Sequence, residues 1–91
     1  MSVTVNLPPI LRPVVGGARQ LEAEGDSIAA AIEDLAARHP ALALHFYDER
    51  GAIRRNIMFI HGDVAIRPPE AQTTMLRPGD EVTVTNALAG G

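Results

Sequence analysis

The 91-residue chain contains no cysteine and no lysine; all eight of its cationic side chains are arginine. Without thiols it can have no disulfide framework, thiolate metal site, cysteine nucleophile or side-chain persulfide. Without lysine it can have no Walker-type phosphate loop, no Schiff base and no acceptor ε-amine. Positive charge in excess is missing too: eleven acids against eight arginines leave a net charge of −3, which gives no electrostatic footprint for nucleic acid or anionic lipid. No apolar run approaches the ~20 residues of a membrane span, and the start Met1-Ser2-Val3-Thr4-Val5 lacks the basic and apolar regions of a signal peptide. A cytoplasmic protein with neither nucleic acid nor membrane as partner is expected.

Apolar residues make up 46% and charged residues 21%, the balance of an ordinary folded domain. A chain this short forms one core and buries only roughly 60 to 65% of its unfolded surface, so a large enclosed active site is not expected. Catalytic constellations are also missing. His39, His45 and His61 have no partner at metal-ligand spacing, and no metal is expected. The acid pairs Glu33-Asp34, Asp48-Glu49 and Asp80-Glu81 are adjacent in sequence and point apart on a helix or strand. The two serines sit at the amino terminus and at a helix start, which suits neither to nucleophilic catalysis. We expect no intrinsic enzyme.

Val3, Val5 and Leu7 alternate with Thr4 and Asn6 as in a half-buried strand, which Pro8-Pro9 must stop. A long irregular connection through Gly16-Gly17 leads to a second short strand, Arg19 to Glu24, antiparallel to the first. Gly25-Asp26-Ser27 signals a helix start, and Ile28, Ala31, Ile32, Leu35 and Ala36 share one face of a helix running to about Arg38. Pro40 to Tyr47 matches both helical and two-residue spacing, so its conformation stays open. Arg54 to His61 reads as a strand, and the Gly62-Asp63 turn leads to Val64 and Ile66. After the turn Arg77-Pro78-Gly79-Asp80, the segment Glu81 to Thr85 alternates valine with threonine as a last strand. This order is α+β: a mixed sheet covered on one face by one main helix. If Met58 and Ile60 face the helix, then Ile57, Phe59 and His61 form an outer apolar face that offers a docking surface; the alternative is that the loops after Pro8 or Pro40 cover it.

Beyond the last strand the chain reads Asn86-Ala87-Leu88-Ala89-Gly90-Gly91. Two glycines cannot pack, but they can thread a channel too narrow for a Cβ. Taken extended, residues 88–91 reach roughly 13 to 14 Å, enough to bring a carboxylate into another protein's buried site. From spacing alone, a frayed end is the favoured explanation of the pair. The expected division is a domain over 1–87 and a flexible tail over 88–91.

The strand Val3 to Leu7, the helix from Asp26, the Pro78-Gly79-Asp80-Glu81-Val82 turn and the closing Ala89-Gly90-Gly91 together resemble the MoaD/ThiS-type sulfur carriers, which have the ubiquitin-like β-grasp fold. The early segment, with Ile10-Leu11-Arg12-Pro13 and Gly16-Gly17, is most similar to the actinobacterial carrier of cysteine biosynthesis. The resemblance implies that Gly91 is adenylated by an E1-like enzyme using ATP and magnesium and then converted to a thiocarboxylate. Leu88, Ala89 and Gly90 would be the tail that partners read, with no cofactor bound by the carrier itself. The implied sulfur acceptor is a PLP-dependent cysteine synthase, with a metalloprotease releasing the product. The rival acceptors are the large subunit of molybdopterin synthase, a thiazole synthase of thiamin synthesis and a thiosugar synthase. Readings of a different class are a ubiquitin-like modifier and an adaptor with an inert tail.

Overall fold

The computed structural model describes residues 2–86. Five strands form one mixed sheet: β1 (Ser2–Asn6), β2 (Gln20–Glu24), β3 (Ile57–His61), β4 (Val64–Ile66) and β5 (Glu81–Asn86), in the spatial order β2-β1-β5-β3-β4. β1 and β5 run parallel, with Val5 opposite Val82, and the other neighbouring pairs are antiparallel. The helix α1 (Ile28–Arg38) covers one face of this sheet, and Ile28, Ala31, Ile32 and Leu35 are its buried positions. Ser27 caps it, the Oγ accepting a hydrogen bond from the Ala30 amide at 3.1 Å. Asp34 and Arg38 tie the helix to β2: Asp34 accepts from the Glu24 amide at 2.9 Å and Arg38 donates to the Glu22 carbonyl.

Gly25 is required just before this helix. A Cβ placed there would lie 2.7 Å from the Ala31 nitrogen and 2.9 Å from the Ala30 carbonyl carbon, both backbone atoms that cannot swing aside. The segment Pro40 to Tyr47, which matched two periodicities, is helical over Pro40–Phe46, here α2; Leu42 and Phe46 point into the core one turn apart. The connection after β1 is more ordered than expected. Pro9–Val15 winds into a 3₁₀-helix anchored by buried Leu11, and Arg12 Nε donates to the Leu7 carbonyl at 3.1 Å. The first helix begins at Ile28, and the third strand is confined to Ile57–His61, shorter at its start than expected.

The assignment of faces on β3 is the reverse of the expected one. Phe59 has no exposed surface and Ile57 is 6% exposed, so both belong to the core, whereas Met58 and Ile60 are half-buried on the opposite face. The pairing with β5 decides this: Phe59 lies opposite Val84, while Met58 and Ile60 lie opposite Thr85 and Thr83. Four apolar residues in a row carry no parity of their own; β5, with its alternating valines and threonines, imposes it.

His61 shares the inward parity of Phe59 but sits beyond the core at the strand's end, opposite Val82. Its Nε2 is 3.1 Å from Asp80 Oδ2, and the same carboxylate oxygen accepts from the Arg77 amide at 2.9 Å. These two contacts, the Arg77 amide first and His61 second, hold the Asp80 carboxyl below the ordinary aspartate range. The turn they close needs a left-handed residue, supplied by Gly79 with φ 86°, whose amide donates to the Ser2 carbonyl at 2.9 Å.

Three tests follow from this packing. Phe59→Ala is expected to lower the free energy of unfolding in urea by about 3 to 5 kcal/mol, since a whole core ring is removed; a loss below about 1 kcal/mol would place the ring at the surface. Gly25→Ala should cost about 1 to 3 kcal/mol in the same assay through the clash with α1. The contribution of Asp80 depends on pH. Because its folded pKa lies below its unfolded value near 3.9, the stabilisation is complete above about pH 5 and is lost as pH falls through the folded pKa. Urea curves collected down the acid range should therefore show the gap between the wild type and Asp80→Asn closing; a gap that does not change with pH would show that the carboxylate's charge is not what matters.

Candidate functional site

The expected site residues do not gather on one surface. Ile57 and Phe59 are core residues, and His61 stands at the far end of β3, about 13 Å along the strand from Ile57 at the usual rise per residue. The expected docking face of Ile57, Phe59 and His61 therefore does not exist as one patch. The sheet's open face instead carries Met58 and Ile60 beside Thr83 and Thr85. Towards β2 that face becomes polar: Glu22 accepts from Ser2 Oγ at 3.0 Å and Thr4 Oγ1 at 2.8 Å, and Asn6 Nδ2 donates to Glu81 at 2.6 Å. Gly91, Gly90, Ala89 and Leu88 lie outside the described residues.

The described chain ends on β5. β5 lies third of the five strands, flanked by β1 and β3, and its last residue, Asn86, is in register with Ile57 at the start of β3. Beside this end of the sheet lies an open cleft of about 320 Å³, lined by Pro8, Ile10, Leu11, Leu44, His45, Arg54, Asn56, Ile57, Val84 and Thr85. Three separate segments meet there. The 3₁₀-helix after β1 brings Ile10, and α2 brings Leu44. The third segment leads into β3 and carries Arg54, whose guanidinium donates to the Leu44 carbonyl through Nε at 3.2 Å and Nη2 at 3.1 Å. The Arg54 amide in turn donates to the Phe46 carbonyl at 2.8 Å, so α2 is held to the approach of β3 from backbone and side chain together.

A larger cleft, about 700 Å³, lies between the Asp48–Ile53 turn and the Pro68–Gln72 segment. Arg50, Arg55 and Arg67 line it together with Glu33 and Asp48, so its charges are mixed, and none of its lining residues belongs to β5 or to the start of β3. Tyr47 at its wall has its phenol pKa pushed up, mainly by burial and further by the Glu33 charge. Among the described residues, no three His, Cys, Asp or Glu side chains come together as a metal site would need, and no helix is long and apolar enough to cross a membrane.

Sequence reasoning missed the cleft beside β5. Ile10 was visible only as part of a motif, and Leu44 belonged to a segment whose conformation was open. An unpaired signal existed in α2: Leu42, Leu44 and Phe46 cannot all face one way on a helix.

Comparison with known proteins places the whole chain. The ThiS family matches residues 5–91. The protein is 36% identical over 93 aligned positions to the sulfur carrier protein CysO of Mycobacterium tuberculosis and of Mycobacterium bovis, with all of each chain covered. The crystal structure of M. tuberculosis CysO superposes with a TM-score of 0.79 at 33% identity, covering 93% of this chain and 98% of that one. A chain in the crystal structure of the Amycolatopsis orientalis BexX/CysO complex superposes at 0.77 with 29% identity, covering 98% and 99%. SAMP1 of Haloferax volcanii, at 22% identity and a TM-score of 0.82 over both full chains, shares the fold. The chain belongs to the ThiS family and has its ubiquitin-like β-grasp fold.

Proposed function

We propose that this protein is a sulfur carrier, a cosubstrate and not a catalyst, whose Gly91 carboxylate is converted to a thiocarboxylate. The observation that carries the reading is full-length similarity to proteins named as sulfur carriers, running through the closing Ala89-Gly90-Gly91 of this chain. The fold supports it by holding β5 between β1 and β3 at its start and pairing it with β3 as far as Asn86, five residues before Gly91.

A carboxylate is ionised at neutral pH and is a poor electrophile, so it must be activated. Its oxygen attacks the α-phosphate of ATP on an E1-like partner, pyrophosphate leaves, and the acyl-adenylate forms. A sulfide then adds to the acyl carbon and expels AMP, leaving the thiocarboxylate; where the nucleophile is a partner's persulfide, a second thiol of the partner cleaves the resulting acyl disulfide and ends as a disulfide with the donor sulfur. ATP and magnesium belong to the activating enzyme, and the carrier binds no cofactor. The cysteine-synthesis reading takes a PLP-dependent synthase as acceptor and a metalloprotease to process the product. It is supported by the similarity to CysO and by the Ile10-Leu11-Arg12-Pro13 segment. The reading takes the protein to act in the cytoplasm, together with these partners. Residues 88–91 act as the threading tail, with Leu88, Ala89 and Gly90 read by the partners.

The test is mass spectrometry of the carboxy-terminal peptide after coexpression with the E1-like enzyme and sulfur donor of the same organism. Cleavage after Glu81 releases Val82 to Gly91, ten residues without methionine or cysteine. Oxygen-for-sulfur exchange then cannot be mistaken for methionine oxidation, and any alkylatable sulfur in that peptide is a thiocarboxylate. Deleting Gly90 and Gly91 should abolish the modification. An unmodified peptide in the presence of active partners would end the carrier reading, and a ladder of higher-mass conjugates would replace it with a protein modifier.

A further inference from the structure

Four large apolar side chains stand exposed among the described residues: Ile10 at 68%, Leu44 at 75%, Val64 at 57% and Met75 at 59%. Two of them, Ile10 and Leu44, line the same cleft, and it is the one beside the end of β5. They come from segments 34 residues apart in a chain whose other large hydrophobic residues are mostly packed away. We infer that this cleft, with Ile10 and Leu44 at its mouth, is the surface on which the adenylating enzyme docks through an apolar cluster of its own. The inference rests on the carrier reading and adds to it the place where the partner sits.

The length of chain beyond Asn86 limits where that enzyme can be. Five residues remain, and fully extended they span no more than about 18 Å. An enzyme that makes an acyl-adenylate must keep water from the activated carbon, so it encloses the last two or three residues. The rest bridge only about 7 to 10 Å, little more than a layer of side chains. The partner's surface therefore comes down around the end of β5, where Met58 and Ile60 are half-buried and the most exposed large apolar side chains are Ile10 and Leu44 of this cleft.

Both side chains are presented on fixed backbone. Ile10 lies between Pro9 and the buried anchor Leu11, within the 3₁₀-helix that Arg12 ties to Leu7. Leu44 projects from α2 between the inward Leu42 and Phe46, and its carbonyl accepts both bonds from Arg54. Little ordering remains to be done on binding, which is the condition under which exposed apolar side chains contribute most to affinity. Arg54 and His45 border the cleft, so acidic or carbonyl groups suit the partner's rim.

The experiment measures ATP–pyrophosphate exchange by the E1-like enzyme of the same organism against the concentration of the full-length carrier. Ile10→Asp and Leu44→Asp should each raise the KM for the carrier about thirtyfold or more, as expected for central contacts of an interface. The kcat should stay within about twofold, because neither residue touches the reacting atoms. Val64→Asp, on β4 opposite His61 and away from the cleft, should leave both constants unchanged. Thermal melts confirm that each variant is folded; if an aspartate variant does not fold, Ile10→Ser and Leu44→Ser take its place. Wild-type KM in both Ile10→Asp and Leu44→Asp overturns the docking surface alone, as does a defect confined to the sulfur-acceptor step. If the wild-type protein supports no exchange, the carrier reading itself fails and the docking surface with it.

Discussion

The parallel pairing of β1 with β5 is the constraint on which the rest of this structure depends. Parallel neighbours cannot be joined by a tight hairpin, so everything between Asn6 and Glu81 has to cross from one end of the pair to the other. β2 first returns the chain to the starting end of β1, with Glu24 opposite Ser2; α1 then packs against the sheet, and Ile28, Ile32 and Leu35 cover a surface in which Val3, Val5, Val82 and Val84 are buried. The last strand consequently lies inside the sheet, paired with β1 over 81–83 and with β3 over 82–86. Its pairing with β3 continues to Asn86, the last described residue.

The same strand explains which parts of the fold could be read from residues and which could not. β1, α1 and β5 were legible because each carries a clean period, two for the strands and helical for α1, bounded by proline or glycine. β3 was legible as a strand but not by face. The run Ile57-Met58-Phe59-Ile60 is apolar at every position, and only the register with the valines of β5 turns Phe59 inward. The reversal moved the expected docking residues into the core, and it left His61 as the partner of Asp80 in the turn preceding β5. α2 was undecided because seven residues are too few for periodicity to distinguish helix from strand. Its outcome required the fold: Leu42 and Phe46 find the core only when one helical turn separates them.

The position proposed to react could be read in the sequence, while the cleft proposed to receive the partner could not. A Gly-Gly at the chain's end can be read directly, but the cleft beside β5 is assembled from residues about 10, 44, 54 and 85, which come together only through tertiary structure. This division has a physical cause. The chemistry assigned to the carrier is main-chain chemistry, on a carboxylate that any residue would supply, so it needs no constellation of side chains and leaves no catalytic motif. What must be specific is the approach of the partner, and that depends on shape.

The two faces near β5 divide this work between affinity and discrimination. The open face of the sheet becomes polar towards β2, where Ser2 and Thr4 donate to Glu22 and Asn6 donates to Glu81. Hydrogen bonds already satisfied within the sheet gain little from a partner. The cleft, in contrast, exposes carbon on rigid backbone with a cationic rim, and removing it from water is favourable for any protein that fits. A carrier must be released after each transfer, so its apolar docking area has to stay small. Two side chains beside the end of β5 meet that limit in the proposed reading, in which a tail threaded into the enzyme would supply the remaining contact only while it is engaged.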